Sequence, residues 1–163
     1  MSPAVQWLTA QEEHLWRGWL KLNAELASTL QRELQEDTGL SMPDYEVLVH
    51  LTDNPEGRLR VTELAGLLQW ERSRVSHHVK RMEHRGLVER AACSEDGRGA
   101  FVVITPQGRA AIEEAAPGHV KAVRRLMFDV LSEEEKAALA AVIEKLLATA
   151  PQGHADGLAA AGR

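Results

Sequence analysis

Residues 61–90 read VTELAGLLQWERSRVSHHVKRMEHRGLVER, and this stretch decides the fold. Its first eight residues predict a short helix. After a two-residue connection, apolar side chains recur at helical spacing and predict a second helix from about Arg72 to Arg85. Gly86 is a good residue to end that helix because glycine accepts a positive φ. Two helices joined by a short turn indicate a helix-turn-helix motif.

A β-hairpin is predicted directly after these two helices. Residues 87–93 and 100–104 are short β-prone runs, and residues 94–99 between them are rich in turn formers. The order helix, helix, hairpin is that of a winged helix-turn-helix. In that motif the second helix enters the major groove of DNA and the hairpin reaches sideways.

Two helices are predicted before this motif. The first begins at Thr9, whose side chain forms a capping box with Glu12, and its apolar pattern continues to about Glu36. The second begins after Ser41, a good capping residue. The first helix is unusually long for a small domain and its apolar stripe is wide, as expected if it meets a second chain as well as its own core.

Two more helices are predicted after the hairpin. Thr105 and Pro106 begin the first of them, and the sequence Pro117-Gly118 in its middle predicts a kink or a break. Ser132 and Glu135 form a capping box for the last helix, which should pack along one face.

Charge is distributed unevenly along the chain. The formal net charge is −5, which by itself disfavours a nucleic-acid partner. However, residues 58–98 hold nine Arg or Lys and six Asp or Glu, a net of +3 that leaves −8 for the rest. A basic segment on an otherwise acidic protein suits a molecule with one face that meets DNA.

Composition narrows the class of protein. Apolar residues make up 44% and charged residues 26% of the 163 residues, which indicates a globular protein rather than a disordered or fibrous one. No run approaches the roughly 18 apolar residues that would span a bilayer, and the N-terminal stretch is acidic where a signal peptide would be basic. We therefore expect a cytoplasmic protein with no membrane partner.

The second helix of the motif carries the candidate DNA contacts. At 100° per residue, Val79 and Met82 fall within about 40° of Val75 and form a buried stripe. The opposite side and its flanks are rich in hydrogen-bond donors suited to base edges and phosphates, and the outward centre has no acidic residue. Ser73, His77, Lys80 and His84 point away from the core, with Arg74, Ser76 and Arg81 on the flanks. A merely solvated helix face is the competing interpretation.

The hairpin tip carries two further candidates. Asp96 and Arg98 lie two residues apart in a glycine-containing turn. The arginine could extend into a narrow minor groove while the aspartate braces its guanidinium. A plain Asp-Gly turn without a DNA contact is the alternative.

The ordered set of these motifs resembles the MarR family of regulators. The resemblance rests on the 61–90 stretch followed by EDGRGAFVVITPQG at residues 95–108, and it spans nearly all of residues 8–148. It implies a homodimer whose first, fifth and sixth helices interlock and place two winged lobes on a pseudo-palindromic site. The family's wing motif, an aspartate followed two residues later by an arginine, maps onto Asp96 and Arg98. The resemblance also implies which residues of the recognition helix meet the major groove: Ser73, Arg74, Ser76, His77, Lys80 and Arg81. Glu71 departs from the family, which commonly has serine, threonine or aspartate there, and glutamate caps a helix poorly.

The predicted fold class is therefore mainly α with a small β-hairpin, a winged helix-turn-helix between two dimerisation segments. We expect the DNA-binding lobe at 41–104, dimerisation helices at 1–36 and 105–150, and a flexible tail at 151–163.

The expected function is a transcription regulator, a repressor more often than an activator, that binds double-stranded DNA and is released by a small-molecule effector. Relatives' pockets lie between the dimer layer and the winged lobe. Four side chains are candidates for such a ligand cleft here, with core packing as the alternative: Trp16, Trp19, Tyr45 and His50.

Other functions have weaker support in the sequence. The seven histidines could sense a metal, but their spacing disfavours a zinc site, and we expect no metal or cofactor. Cys93 could be a redox sensor, although in relatives the sensing thiol is near the first helix. No nucleophile elbow, phosphate-binding glycine loop or H-E-x-x-H helix indicates an enzyme. A winged-helix protein-interaction module without operator binding remains the alternative function.

Overall fold

The computed structural model describes residues 5–92 and 100–149. Within these ranges the chain forms six α-helices, three short strands and one π-helical segment at Arg124–Phe128. The helices are α1 (Ala10–Thr38), α2 (Met42–Asp53), α3 (Val61–Leu68), α4 (Arg72–His84), α5 (Pro106–Val123) and α6 (Glu133–Thr149). The strands are β1 (Arg58–Arg60), β2 (Val88–Ala92) and β3 (Ala100–Ile104), and they form an antiparallel sheet in the order β1-β3-β2.

The predicted helix starts are confirmed. At the start of α1, the backbone N–H of Glu12 donates to the Thr9 hydroxyl, and the Thr9 N–H donates to the Glu12 carboxylate at 2.7 Å. The predicted cap at Ser41 is present and is completed by Asp44. The capping box of α6 is also present, since the Ser132 N–H donates to the Glu135 carboxylate. These local hydrogen bonds satisfy backbone N–H groups that have no partner within the helix.

The strand β1 was not predicted. It has only three residues, too few to show an alternating pattern, and it exists because it pairs with the distant strand β3. Leu59 at its centre lies opposite Val102 and is buried. The sheet therefore has three strands rather than the two of the predicted hairpin.

The core of the lobe lies between α2, α3, α4 and the sheet. The predicted stripe of α4 is confirmed, since Val75, Val79 and Met82 are completely buried. They pack in one cluster with residues of the other elements, including Leu48, Leu51, Leu64, Val88 and Val102. This packing fixes which face of α4 remains outside.

The predicted break at Pro117-Gly118 is wrong. The helix α5 continues through Pro117 to Val123, and the irregular π-helical segment comes later. Proline removes one hydrogen bond to the carbonyl four residues earlier, here that of Glu113. Both Pro117 and Glu113 are exposed, so water can solvate the carbonyl, while buried residues on either side, Ile112 and Ala122, keep both halves packed.

The start of α5 is held tightly against the end of α4. Thr105 caps α5 by accepting the Gly108 N–H at 2.9 Å, and its hydroxyl donates to the Gly86 carbonyl at 2.6 Å. Gly108 is required by this packing, since a Cβ there would collide with the backbone carbonyl of Leu87.

The outer helices leave much apolar surface uncovered. The helix α6 has no buried residue, and in α1 only Leu34 is buried. Large apolar side chains of both helices are exposed, among them Leu15, Trp16, Trp19, Leu20, Leu22, Val142, Leu146 and Leu147. In the parts of the chain that are described, no helix has the length and hydropathy needed to span a bilayer.

Candidate nucleic-acid interface

The candidate DNA contacts of α4 share one exposed surface. Ser73, Arg74, His77, Lys80 and Arg81 are exposed and Ser76 is half-buried. No member of this set is a core residue, because the buried stripe lies on the other side of the helix. We call these six residues the α4 basic face.

The beginning of α4 has no side-chain cap. Glu71 precedes the helix and makes no capping hydrogen bond, as its poor capping tendency predicts. No acidic residue lies in the first turn. The positive end of the helix dipole and the free N–H groups are therefore available to an anion such as a DNA phosphate.

Arg74 is held by an aromatic side chain. Its guanidinium carbon lies 4.0 Å from the centre of the Trp70 ring, a cation–π distance. The ring of His78 meets Trp70 edge-on, with 5.5 Å between the ring centroids. Trp70, in the middle of the α3–α4 connection, thus contacts two side chains of α4, a role that the sequence did not reveal.

A buried carboxylate lies behind the α4 basic face. Asp44 of α2 is 2% exposed. One of its oxygens accepts a hydrogen bond from Arg85 at 2.7 Å, and the other lies 3.0 Å from Nε2 of His78. On the far side of the same ring, Nδ1 of His78 is 2.8 Å from the guanidinium of Arg81. Asp44, His78 and Arg81 form a continuous series of contacts, which we call the Asp44 relay.

The surroundings of Asp44 keep it ionised. Burial by itself raises the pKa of this carboxyl. The close contact with His78 and the hydrogen bonds from the Ser41 backbone and Arg85 outweigh that effect, so its pKa is lowered well below the ordinary value. Sequence reasoning missed Asp44 because its capping role is local but its partners His78 and Arg85 are 34 and 41 residues away.

The base of the wing is in place. Strands β2 and β3 pair from Val88 with Ile104 to Ala92 with Ala100. On the neighbouring strand β1, the guanidiniums of Arg58 and Arg60 lie over the ring of Phe101. The predicted wing contacts Asp96 and Arg98, together with Cys93, lie outside the described residues.

A groove of about 670 Å³ lies where α1, α2 and α5 meet. The predicted residues Tyr45 and His50 line it, whereas Trp16 and Trp19 do not and are exposed on α1. Sequence reasoning missed His119, whose ring centroid lies 4.6 Å from that of Tyr45. The full lining is Ala27, Ser28, Leu30, Gln31, Met42, Tyr45, Glu46, Val49, His50 and His119.

Burial shifts the pKa of three side chains that line this groove, and it raises the pKa of Tyr45. It lowers the pKa of His119 and raises the pKa of Glu46, the latter against the opposing charge of groups that include His50 and Arg74. Within residues 5–92 and 100–149, no three His, Cys, Asp or Glu side chains cluster in a way that could hold a metal ion.

Comparison with known proteins decides the family. The model described as "MarR family" matches residues 38–99. YfiV of Bacillus subtilis, an uncharacterised HTH-type transcriptional regulator, is 30% identical over 135 residues, which cover 81% of this chain and 80% of YfiV. Sco3205 of Streptomyces coelicolor, a MarR family transcriptional regulator, matches 93% of this chain at 38% sequence identity. The chain belongs to the MarR family. The resemblance inferred from the helix and wing motifs is therefore confirmed.

YetL and the structure of Sco3205 extend the comparison. The transcriptional repressor YetL of Bacillus subtilis is 31% identical over 98 residues, or 60% of this chain, and the match spans only 58% of YetL. Sco3205, a MarR family transcriptional regulator from Streptomyces coelicolor, has a crystal structure in complex with DNA, and its sequence is 38% identical to that of this chain. It superposes with a TM-score of 0.86 over 93% of this chain and 95% of its own. The predicted winged helix-turn-helix fold is confirmed by this structure.

Proposed function

We propose that this MarR protein is a homodimeric repressor that binds a pseudo-palindromic site in double-stranded DNA and is released by a small-molecule effector. The observation that carries the proposal is the α4 basic face, an exposed set of hydrogen-bond donors on a helix whose opposite side is locked in the core. Side chains such as Arg74 and Lys80 on such a face can reach base edges and phosphates in the major groove. The DNA complex of Sco3205 supports this use of the fold, and the name of YetL supports repression.

The uncovered apolar surface supports the homodimer. A helix of 17 residues with no buried residue, α6, would gain little from folding on an isolated protomer. Trp19 of α1 is 47% exposed and Leu146 of α6 is 59% exposed, whereas monomeric proteins rarely expose large contiguous apolar patches. We assign residues 1–36 and 105–150 to dimerisation and 41–104 to the DNA-binding lobe.

The wing completes the proposed interface. Asp96 and Arg98 lie in the sequence between the paired strands β2 and β3, and we propose them as minor-groove contacts. An arginine in a narrow minor groove benefits from the enhanced negative potential there.

The groove at Tyr45 is the proposed effector site. Its lining is mainly apolar with a few polar groups, and its volume suits a small organic molecule. It contacts both α1 of the dimerisation segment and α2 of the lobe, so a ligand there could change the spacing of the two lobes. An effector can shift DNA binding only as far as its affinity differs between the two arrangements.

A single series of experiments tests the proposal. DNA fragments that bind the purified protein would be selected from a genomic library and assayed by gel shift between 50 and 200 mM salt. Light scattering would give the mass of free protein and complex. We expect a dimer that binds selected DNA much more tightly than random DNA, with affinity that falls as salt rises. A protein that shows no preference among duplexes and instead binds a protein partner would support the interaction-module alternative and refute the proposal.

A further inference from the structure

The Asp44 relay connects the interior of the lobe with the surface proposed to meet DNA. Asp44 is on α2, whereas His78 and Arg81 are on α4. We propose that Asp44 is a positioning residue for DNA binding, which acts through His78 to hold the Arg81 guanidinium in place. This inference rests on the proposed function, since the position of Arg81 matters only if Arg81 contacts DNA.

The hydrogen-bonding capacity of each group fixes the state of His78. A guanidinium can only donate, so Nδ1 of His78, 2.8 Å from Arg81, must accept. The hydrogen of the neutral ring is then on Nε2. That nitrogen lies 3.0 Å from an Asp44 oxygen, which can only accept when ionised. The angle of this close contact is not that of a good hydrogen bond, so the Asp44 carboxylate acts on the ring electrostatically and favours the tautomer with hydrogen on Nε2, which can hold Arg81.

Asp44 is also held by partners other than His78, namely the Ser41 backbone at the start of α2 and Arg85, which directly follows α4. Its second carboxylate oxygen accepts the Ser41 backbone N–H at 3.0 Å, in the capping box of α2, and Arg85 at 2.7 Å. Arg85 also donates to the carbonyl of Gly39 at the end of α1. The carboxylate therefore has a fixed position where three helices meet.

His78 is confined by its surroundings. It is 5% exposed, and its ring is edge-on to Trp70. Arg81, in contrast, is an exposed side chain with high rotamer entropy. Holding its guanidinium before DNA arrives reduces the ordering cost of the complex, which is how preorganisation increases affinity.

Replacing Asp44 by asparagine tests the relay while keeping the size of the side chain. The amide oxygen is needed by two donors, the Ser41 N–H and Arg85, so the amide nitrogen would face Nε2 of His78. That nitrogen must then accept, the ring hydrogen moves to Nδ1, and Nδ1 no longer accepts from Arg81. Asp44→Asn should therefore release Arg81 without removing any atom that could touch DNA.

The experiment measures the dissociation constant for DNA selected by the parent protein, at one salt concentration, for single and double variants. We expect Arg81→Ala to raise it by about 5- to 150-fold. Asp44→Asn should raise it by a smaller factor in the parent, and by less than about twofold in the Arg81→Ala background. His78→Phe keeps the ring against Trp70 and removes both nitrogens. It should behave in the same way and provides a second test if Asp44→Asn does not fold.

Two controls separate positioning from a general loss of structure. Val47→Ala deletes buried methyl groups of α2 and should lower stability without changing the dissociation constant of the folded protein. Nitrogen-15 NMR of the histidine rings should show hydrogen on Nε2 of His78 in the parent and on Nδ1 in Asp44→Asn.

Three results would overturn the inference. The first is that Asp44→Asn raises the dissociation constant for DNA as much in the Arg81→Ala background as in the parent. The second is that the His78 ring of the parent carries its hydrogen on Nδ1. The third is that Arg81→Ala leaves the dissociation constant unchanged. In each case a parent that still binds its selected DNA leaves the proposed function standing. A parent that binds no duplex would refute the proposed function itself.

Discussion

Replacing Arg74 by alanine removes a guanidinium that lies 4.0 Å above the Trp70 ring in the first turn of α4. Because the ring already holds this exposed side chain, little ordering is required when DNA binds. We expect the loss of one base-reading contact to cost about 1–3 kcal/mol, a rise of about 5- to 150-fold in the dissociation constant. The lost cation–π contact should cost only about 0.5–1 kcal/mol of stability, so the protein remains folded.

Gel shifts at several salt concentrations would show what kind of contact Arg74 makes. If it binds a phosphate, Arg74→Ala should reduce the slope of log K against log salt by about 0.9, and Arg74→Lys should restore most of the affinity. If it reads a base through both nitrogens, lysine should not replace it, since an ammonium lacks the planar fork.

Arg17→Ala is the matched control for the change in charge. Arg17 is exposed on α1 and pairs with Glu13 on its own helix, so its removal should leave the dissociation constant nearly unchanged. An Arg74→Ala protein that binds selected DNA as tightly as the parent at the same salt would refute the reasoning about the α4 basic face.

Three further predictions concern assembly and stability. Leu146→Asp places a charge on the exposed apolar surface of α6, so light scattering should show a monomer where the parent is a dimer. An unchanged mass would exclude this surface of α6 from the dimer interface. The lowered pKa of Asp44 contributes stability that is present above the ordinary pKa of 3.8 and is lost as the pH falls below it. In urea unfolding, Asp44→Asn should therefore be less stable than the parent by about 1–3 kcal/mol at pH 7 and by clearly less at pH 3. An equal difference at both pH values would contradict this prediction. In the same assay, Gly108→Ala should lower the free energy of unfolding by about 1–3 kcal/mol because its Cβ meets the Leu87 carbonyl. The control Gly118→Ala, whose Cβ has room, should leave that free energy unchanged or raise it by up to about 1 kcal/mol. Equal losses for the two variants would show that close packing at residue 108 is not the cause.

Local features of this chain were predictable from sequence because their causes are local. The cap at Thr9 needs only a partner three residues away, and the buried stripe of α4 follows from the helical repeat. The face that remains exposed, with Arg74 and Lys80, then follows by elimination. Tyr45 and His50 could be placed near a groove because the resemblance to MarR proteins located the layer between the dimer helices and the lobe.

Features that depend on distant partners were not predictable in the same way. The strand β1 is defined by pairing with β3, more than 40 residues away along the chain. Asp44 is readable as a capping residue, but nothing in its neighbourhood indicates that His78 and Arg85 converge on it. The break expected at Pro117 does not occur, because α5 is packed against the core on both sides of it. That packing is a tertiary effect, which the local sequence does not show.

Methylation interference on the selected DNA tests the central claim most directly, because methylated guanine N7 blocks contacts in the major groove only. Two α4 helices of one dimer should give two patches of interference, centred about 10 base pairs or a multiple of that apart, and Arg74→Ala should weaken both. Interference at a single patch, or blocked binding only when minor-groove positions are modified, would contradict the account.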